Sequence, residues 1–169
     1  MKHKQIAGLL SDPRFVRRRA MWTVAAIVLI VLIIGIIAYT RSGQRASVAI
    51  GNGTFSARIA KTEASRAKGL AGVSSLDANQ AMLFVFKTDG KWQIWMKDMK
   101  ISIDIVWLDS AKKVVYVINN APFSSGTDII YTPDADTRYV LELPAGTINN
   151  DMIHVGDAAN FKISEVGIQ

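Results

Sequence analysis

The sequence predicts an all-β domain, a mainly antiparallel compact sandwich or barrel with one short helix, preceded by a single N-terminal transmembrane helix. Three observations carry this expectation. Residues 20–39, AMWTVAAIVLIVLIIGIIAY, contain no charge. Downstream, short segments rich in β-branched and aromatic residues alternate with Gly, Asn, Asp, Pro and Ser, the punctuation of strands and turns. Only the stretch around residues 63–68 reads as a helix, and it is under two turns long.

The first 19 residues form a basic segment, with Lys2, Lys4, Arg14, Arg17, Arg18 and Arg19 set against Asp12. Residues 20–39 as a helix span about 30 Å, the hydrocarbon thickness of a bilayer. Lipid supplies no hydrogen-bond partners, so such a segment closes its own backbone bonds. The excess of cations before the span puts the N-terminus in the cytoplasm and the remainder outside. A cleaved signal peptide is the competing reading, but the apolar run exceeds the usual stretch of roughly 7 to 15 residues and no A-x-A site follows. The expected partner of residues 20–39 and of the flanking Arg17, Arg18 and Arg19 is therefore membrane lipid.

Charge distribution narrows the function. The chain carries a formal +6, of which residues 1–45 hold +7 and residues 46–169 hold −1. The basic character belongs to the membrane flank, which removes the main argument for nucleic-acid binding. There is no cysteine, so disulfides, thiolate metal sites and Cys nucleophiles are excluded. Of the two histidines, His3 falls in the cytoplasmic segment and His154 alone builds neither a zinc site nor a triad. No motif points to a cofactor or a metal.

A short polar tether over residues 40–46 leads into the external domain, residues 47–169. Val48 and Ile50, an Asn52-Gly53 turn, then Phe55, Ala57 and Ile59 spell a β-hairpin. Thr62 reads as an N-cap, Glu63 favours the first turn, and Gly69 closes the helix over residues 63–68. Strands are expected at 81–86, 92–97, 102–108, 113–118, 138–143 and 158–164. Between residues 119 and 137 the Pro, Ser, Gly and Asp content indicates a long irregular connection.

Within Ile101–Leu108, period-two geometry puts Ile101, Ile103, Ile105 and Trp107 on one face and Ser102, Asp104, Val106 and Leu108 on the other. Asp104 and Glu142 are thus carboxylates in apolar strands, either partnered or shifted in pKa. They could supply the acid and base of a hydrolase if they converge on one cleft, or each could fix the fold by accepting hydrogen bonds. Met82, Met96 and Met99, with Trp92 and Trp95, form a second constellation. Thioethers suit copper(I), and they also fill irregular core gaps.

Taken in order, Arg66 with Gly69-Leu70, Met82–Phe86, Trp95-Met96-Lys97, Asp104-Ile105-Val106, and Tyr139–Leu143 with Gly146 and Gly156-Asp157 form a distinctive set. This set is similar to the prokaryotic domain-of-unknown-function family 192, also called uncharacterised protein family 0127, from about Val48 to Phe161. The resemblance implies a small, mainly β domain, often exported or membrane-anchored, and supplies no reaction. Carried to matching positions, it points to Arg66, Trp95, Met96, Asp104, Tyr139 and Glu142. The expectation is a membrane-anchored binding or accessory module for a saccharide, a peptide or an envelope protein. Ligand contacts are expected from Arg66, Trp95, Met96 and Tyr139. A hydrolase built on Asp104 and Glu142 and a structural partner of another membrane protein are the alternatives.

Overall fold

The computed structural model describes residues 21–33, 44–123, 129–164 and 166–169. The chain divides into two units, Met1–Gly43 and Gln44–Gln169. In the first, residues 21–33 are helical and all exposed. No described helix is long and apolar enough to cross a membrane. The basic segment 1–19, both ends of the expected span (Ala20 and residues 34–39) and residues 40–43 of the expected tether lie outside the described residues.

Among its described residues the second unit holds eight strands and two short helices. They follow in the order β1 (Arg45–Ile50), β2 (Gly53–Ala60), α1 (Glu63–Lys68), β3 (Gln80–Gly90), β4 (Ile94–Trp95), β5 (Ile103–Leu108), β6 (Val114–Ala121), β7 (Ile130–Tyr131), β8 (Thr137–Pro144) and α2 (Thr147–Asn150). Six strands make one sheet in the order β1-β2-β3-β8-β5-β6, and β4 pairs with β7 alone. All neighbours in the sheet are antiparallel except β2 and β3, which run parallel with α1 in their crossover. The hairpin forms as its alternating pattern requires, and Arg45 and Ala46, expected in the tether, belong to β1 opposite Arg58 and Ala57. At its turn Gly51 has φ +55°, and a Cβ there would sit 2.3 Å from the Asp151 carbonyl oxygen. Only glycine fits.

Helix α1 has the predicted bounds. Thr62 Oγ1 accepts from the Ser65 N–H at 3.2 Å while the Thr62 N–H donates to Ser65 Oγ at 2.9 Å, a reciprocal cap. Gly69 ends it at φ +46°. The expected strand at 158–164 is instead a segment making two isolated bridges, Ala158 to Lys113 and Asn160 to Ala49. Its two bridging residues meet opposite edges of the sheet, β1 and the start of β6. The sheet therefore curls into a barrel closed by this segment, which is too briefly paired to count as a strand. The long connection is shorter than expected because β6 runs on to Ala121 and β7 lies within it; residues 124–128 lie outside the described residues.

Both faces of the sheet are covered. Val48, Phe55, Leu83, Val106, Leu108, Tyr139, Leu141 and Leu143 belong to one buried cluster, and Met82, Phe84, Phe86, Ile103, Ile105, Trp107 and Val140 to the other. The alternation read for Ile103–Leu108 is therefore real, with apolar burial on both sides.

Asp104 lies on the first face, fully buried. Its Oδ1 accepts from the N–H groups of Asn120 (2.7 Å) and Gly146 (3.1 Å), and its Oδ2 from that of Ile148 (2.7 Å). Gly146 is the N-cap of α2 and has no side chain to offer, so Asp104 reaches over from β5 to take its place. One carboxylate thus ties β5, the end of β6 and α2 together. In Asp104→Asn the amide keeps the shape but turns a donor toward a backbone N–H. Urea unfolding should show a loss of about 2–4 kcal/mol, charge-assisted bonds being the stronger class; a change under about 0.5 kcal/mol, the size of an ordinary surface effect, would show that these bonds do not hold the fold.

Candidate functional site

On the second face, α1 and the loop after it lie beside β4, and the space between them and the sheet is a cavity of about 490 Å³. Its buried lining is apolar: Phe84 and Phe86 from β3, Leu70, Ile94 and Met99. Its exposed lining includes Lys68, Trp95 and Lys97, with Arg66 half-buried. Strand alternation positions the two phenylalanines, which stand two residues apart on β3 and so share a face. Trp92 stacks on Phe86 at 4.3 Å with 6° between the rings, and its indole N–H donates to the Thr88 carbonyl at 3.1 Å.

The polar group in the interior is Glu142. In the sheet register, Arg58 pairs with Met82, Met82 with Glu142, and Glu142 with Ile105, so these residues form a row across four strands on the cavity side. Arg58 donates from Nη2 to the Gly69 carbonyl at 3.2 Å and lies 3.5 Å from Met82 Sδ. Glu142 is only 4% exposed, and among the described residues nothing hydrogen-bonds its Oε2. Burial raises its pKa to about 8, with the charge of Arg58 opposing. At neutral pH the carboxyl is therefore mainly protonated, a donor in the wall of a largely apolar chamber.

Arg66 lines the same cavity and braces α1. Its Nη1 donates to the carbonyls of Lys61 (3.0 Å) and Val85 (3.1 Å), its Nη2 to that of Gln169 (2.7 Å), and the guanidinium lies 5.0 Å from the Phe86 ring centroid. Desolvation pulls its pKa below the usual value, with Glu63 opposing, and arginine keeps its charge throughout the working range. Trp95 is 47% exposed at the mouth, with the Lys97 ammonium 5.1 Å from its ring centroid.

The fold thus brings together three of the six predicted positions, Arg66, Trp95 and Glu142. Asp104 does not join them. Asp104 faces Leu143 while Glu142 faces Ile105, and adjacent residues of a strand point to opposite sides, so the two carboxyls stand on opposite faces of the sheet. This removes the acid/base pair. Tyr139 is also on the far face, packed edge-on against Phe161 at 5.2 Å. Met96 is core: it is 1% exposed in the second cluster, together with Met82 and Met99. Thioethers so enclosed fill space. Among the described residues no three His, Cys, Asp or Glu side chains cluster as metal ligands, and His154 lies exposed.

Sequence reasoning did not single out Arg58, Phe84, Phe86 or Lys68. A signal for Arg58 was present: in SARIA it alternates with Ala57, so one face of β2 had to carry a cation. The position of Lys68 depends on how α1 docks, which no local pattern states.

A family model described as Uncharacterized ACR, DUF192, matches residues 46–161. A UPF0127 protein of Thermococcus gammatolerans is 33% identical over 109 residues, which are 63% of this chain and 67% of that one. A UPF0127 protein of Thermococcus sibiricus is 28% identical over 110 residues, 64% of this chain and 67% of that one. A crystal structure of a protein of unknown function from Novosphingobium aromaticivorans superposes with a TM-score of 0.62 at 24% identity, covering 69% of this chain and 83% of that one. The last likeness bears on the fold, whereas the family model spans nearly the whole barrel unit: the chain belongs to the DUF192 (UPF0127) family.

Proposed function

We propose that the protein is a membrane-anchored ligand-binding module that takes a small, apolar-bodied molecule into the cavity beside α1, outside the cytoplasm. One observation carries the binding role: a cavity of about 490 Å³ with mostly apolar buried walls is lined at its inner end by Glu142, a buried carboxyl whose Oε2 nothing in the described protein satisfies. Binding sites are concave, mostly apolar and supplied with a few convergent polar groups. Buried polar atoms in folded proteins are ordinarily paired, and an unpaired one facing a chamber marks where a partner belongs. The anchor is supported by the uncharged run at 20–39, by the six cations before it, and by the exposed helical residues 21–33.

The binding role is tested by thermal unfolding of the full chain in detergent against aryl glycosides and short apolar peptides. A ligand at 100 times its Kd adds about 2.7 kcal/mol and raises Tm by a few degrees. Ala67 is exposed on α1 and lines the cavity, so Ala67→Phe should abolish the shift while leaving the ligand-free Tm nearly unchanged. A shift that survives Ala67→Phe would place binding elsewhere.

The anchor makes a separate prediction. The chain should stay in the membrane pellet through carbonate extraction, and protease added to spheroplasts should remove the barrel domain. Release by carbonate, or protection from protease, would refute it.

Glu142 gives stability a definite pH dependence. Its folded pKa lies above its ordinary value of 4.5, so between these values the folded state holds a proton that the unfolded state releases. The contribution is fully present below about pH 4.5, falls as pH rises, and is lost once pH passes about 8. Glu142→Gln is neutral at every pH. It should match the wild type near pH 4.5 and exceed it by a few kcal/mol at pH 9. Parallel Tm profiles for the two proteins would contradict this.

A further inference from the structure

The cavity has a charge asymmetry that selects among ligands. Arg66, Lys68 and Lys97 stand in its lining toward solvent against a single acid there, Glu63. The described ion pairs, Arg138–Asp89 and His154–Asp157, involve none of these cations, and among the described residues Lys68 and Lys97 have no carboxylate in salt-bridge range. Residues 46–169 as a whole carry a formal −1, so the positive mouth is a local feature and not a general property of the surface. Aromatic walls suit an ammonium ligand in general. Yet Phe86 is stacked on Trp92 and carries Arg66 over its ring, and Trp95 carries Lys97. The protein's own cations occupy those rings. At the inner end Glu142 is part of the cavity wall, and its carboxyl, unpaired at Oε2 among the described residues, has hydrogen-bonding capacity to offer a ligand oxygen.

Resting on the binding role proposed above, we infer that the cavity takes a small apolar-bodied anion. Its negative group lies at the Arg66–Lys68–Lys97 mouth, and a hydroxyl or carbonyl oxygen at its far end meets Glu142. The apolar body lies between, against Phe84, Leu70 and Met99.

Four water-soluble probes built on one benzene ring separate the terms: 4-(hydroxymethyl)benzoate, 4-methylbenzoate, 1,4-benzenedimethanol and 4-(hydroxymethyl)benzylamine. Their Kd values are measured by ligand-observed NMR on the full chain in detergent, with protein-free micelles as the blank. The hydroxymethyl benzoate should bind about tenfold more tightly than the amine, a size of preference that two or three partly exposed charges supply, and more tightly than 4-methylbenzoate, which lacks the oxygen. Lys68→Glu with Lys97→Glu, two exposed sites at which folding is checked by circular dichroism, should reverse the acid-over-amine order. Glu142→Leu should erase the advantage of the hydroxyl and leave the charge preference. If the amine binds as well as the acid, or the order survives the double charge reversal, the inference fails while the cavity remains a binding site. If none of the four binds, the inference fails, and the Tm screen with Ala67→Phe decides the binding role on its own.

Discussion

Strands β3, β8 and β5 are covered on both faces, and that single constraint governs the rest of the molecule. Residues 81–86, 103–108 and 139–143 of these strands are buried, so each polar side chain among them must find its partner within the protein or bear the cost of going without. Two carboxyls in adjacent strands meet this demand in opposite ways. Asp104 gathers three backbone N–H groups and becomes a fixture of the fold. Glu142, one residue along the register and on the other face, has an oxygen that none of the described residues hydrogen-bonds. Equal chemistry and equal burial have given a structural bolt in one case and an unfilled valence in the other.

The difference lies in what covers each face. Over Asp104 lies α2, whose first turn presents N–H groups that need an acceptor. Over Glu142 lies the gap between α1 and β4, whose buried walls are rings and aliphatic chains and whose cations stand at the mouth. Arg58 is the nearest compensation, and it spends its hydrogen bonds on Gly69 and Met82. A carboxyl held protonated in this way is a feature that selection for stability alone would replace with leucine or methionine.

Much of this was legible in the sequence because it is local. The hairpin, the bounds of α1 and its cap, and the two-faced burial of β5 all follow from residue order. The strand expected at 158–164 looked right in composition and failed because its neighbours are the two edges of a curled sheet, a fact of closure. Asp104 and Glu142 were rightly suspected as buried acids. Their separation onto opposite faces depends on the pairing of β5 with β8, thirty-odd residues apart in sequence, and register across such a distance is set by tertiary packing. Met96 and Tyr139, which the family resemblance pointed to, are both core.

Closure by the segment at Ala158–Asn160 also imposes an order of events on synthesis. This segment is made after all eight strands, and it bridges β1, the first of them, as well as the start of β6. Until it emerges, the nascent domain is an open sheet with unpaired backbone at both ends, the kind of edge that pairs with other chains. The barrel is therefore a structure that a strip made after its strands completes, and the interval before that strip arrives is when the protein is most exposed to misassembly.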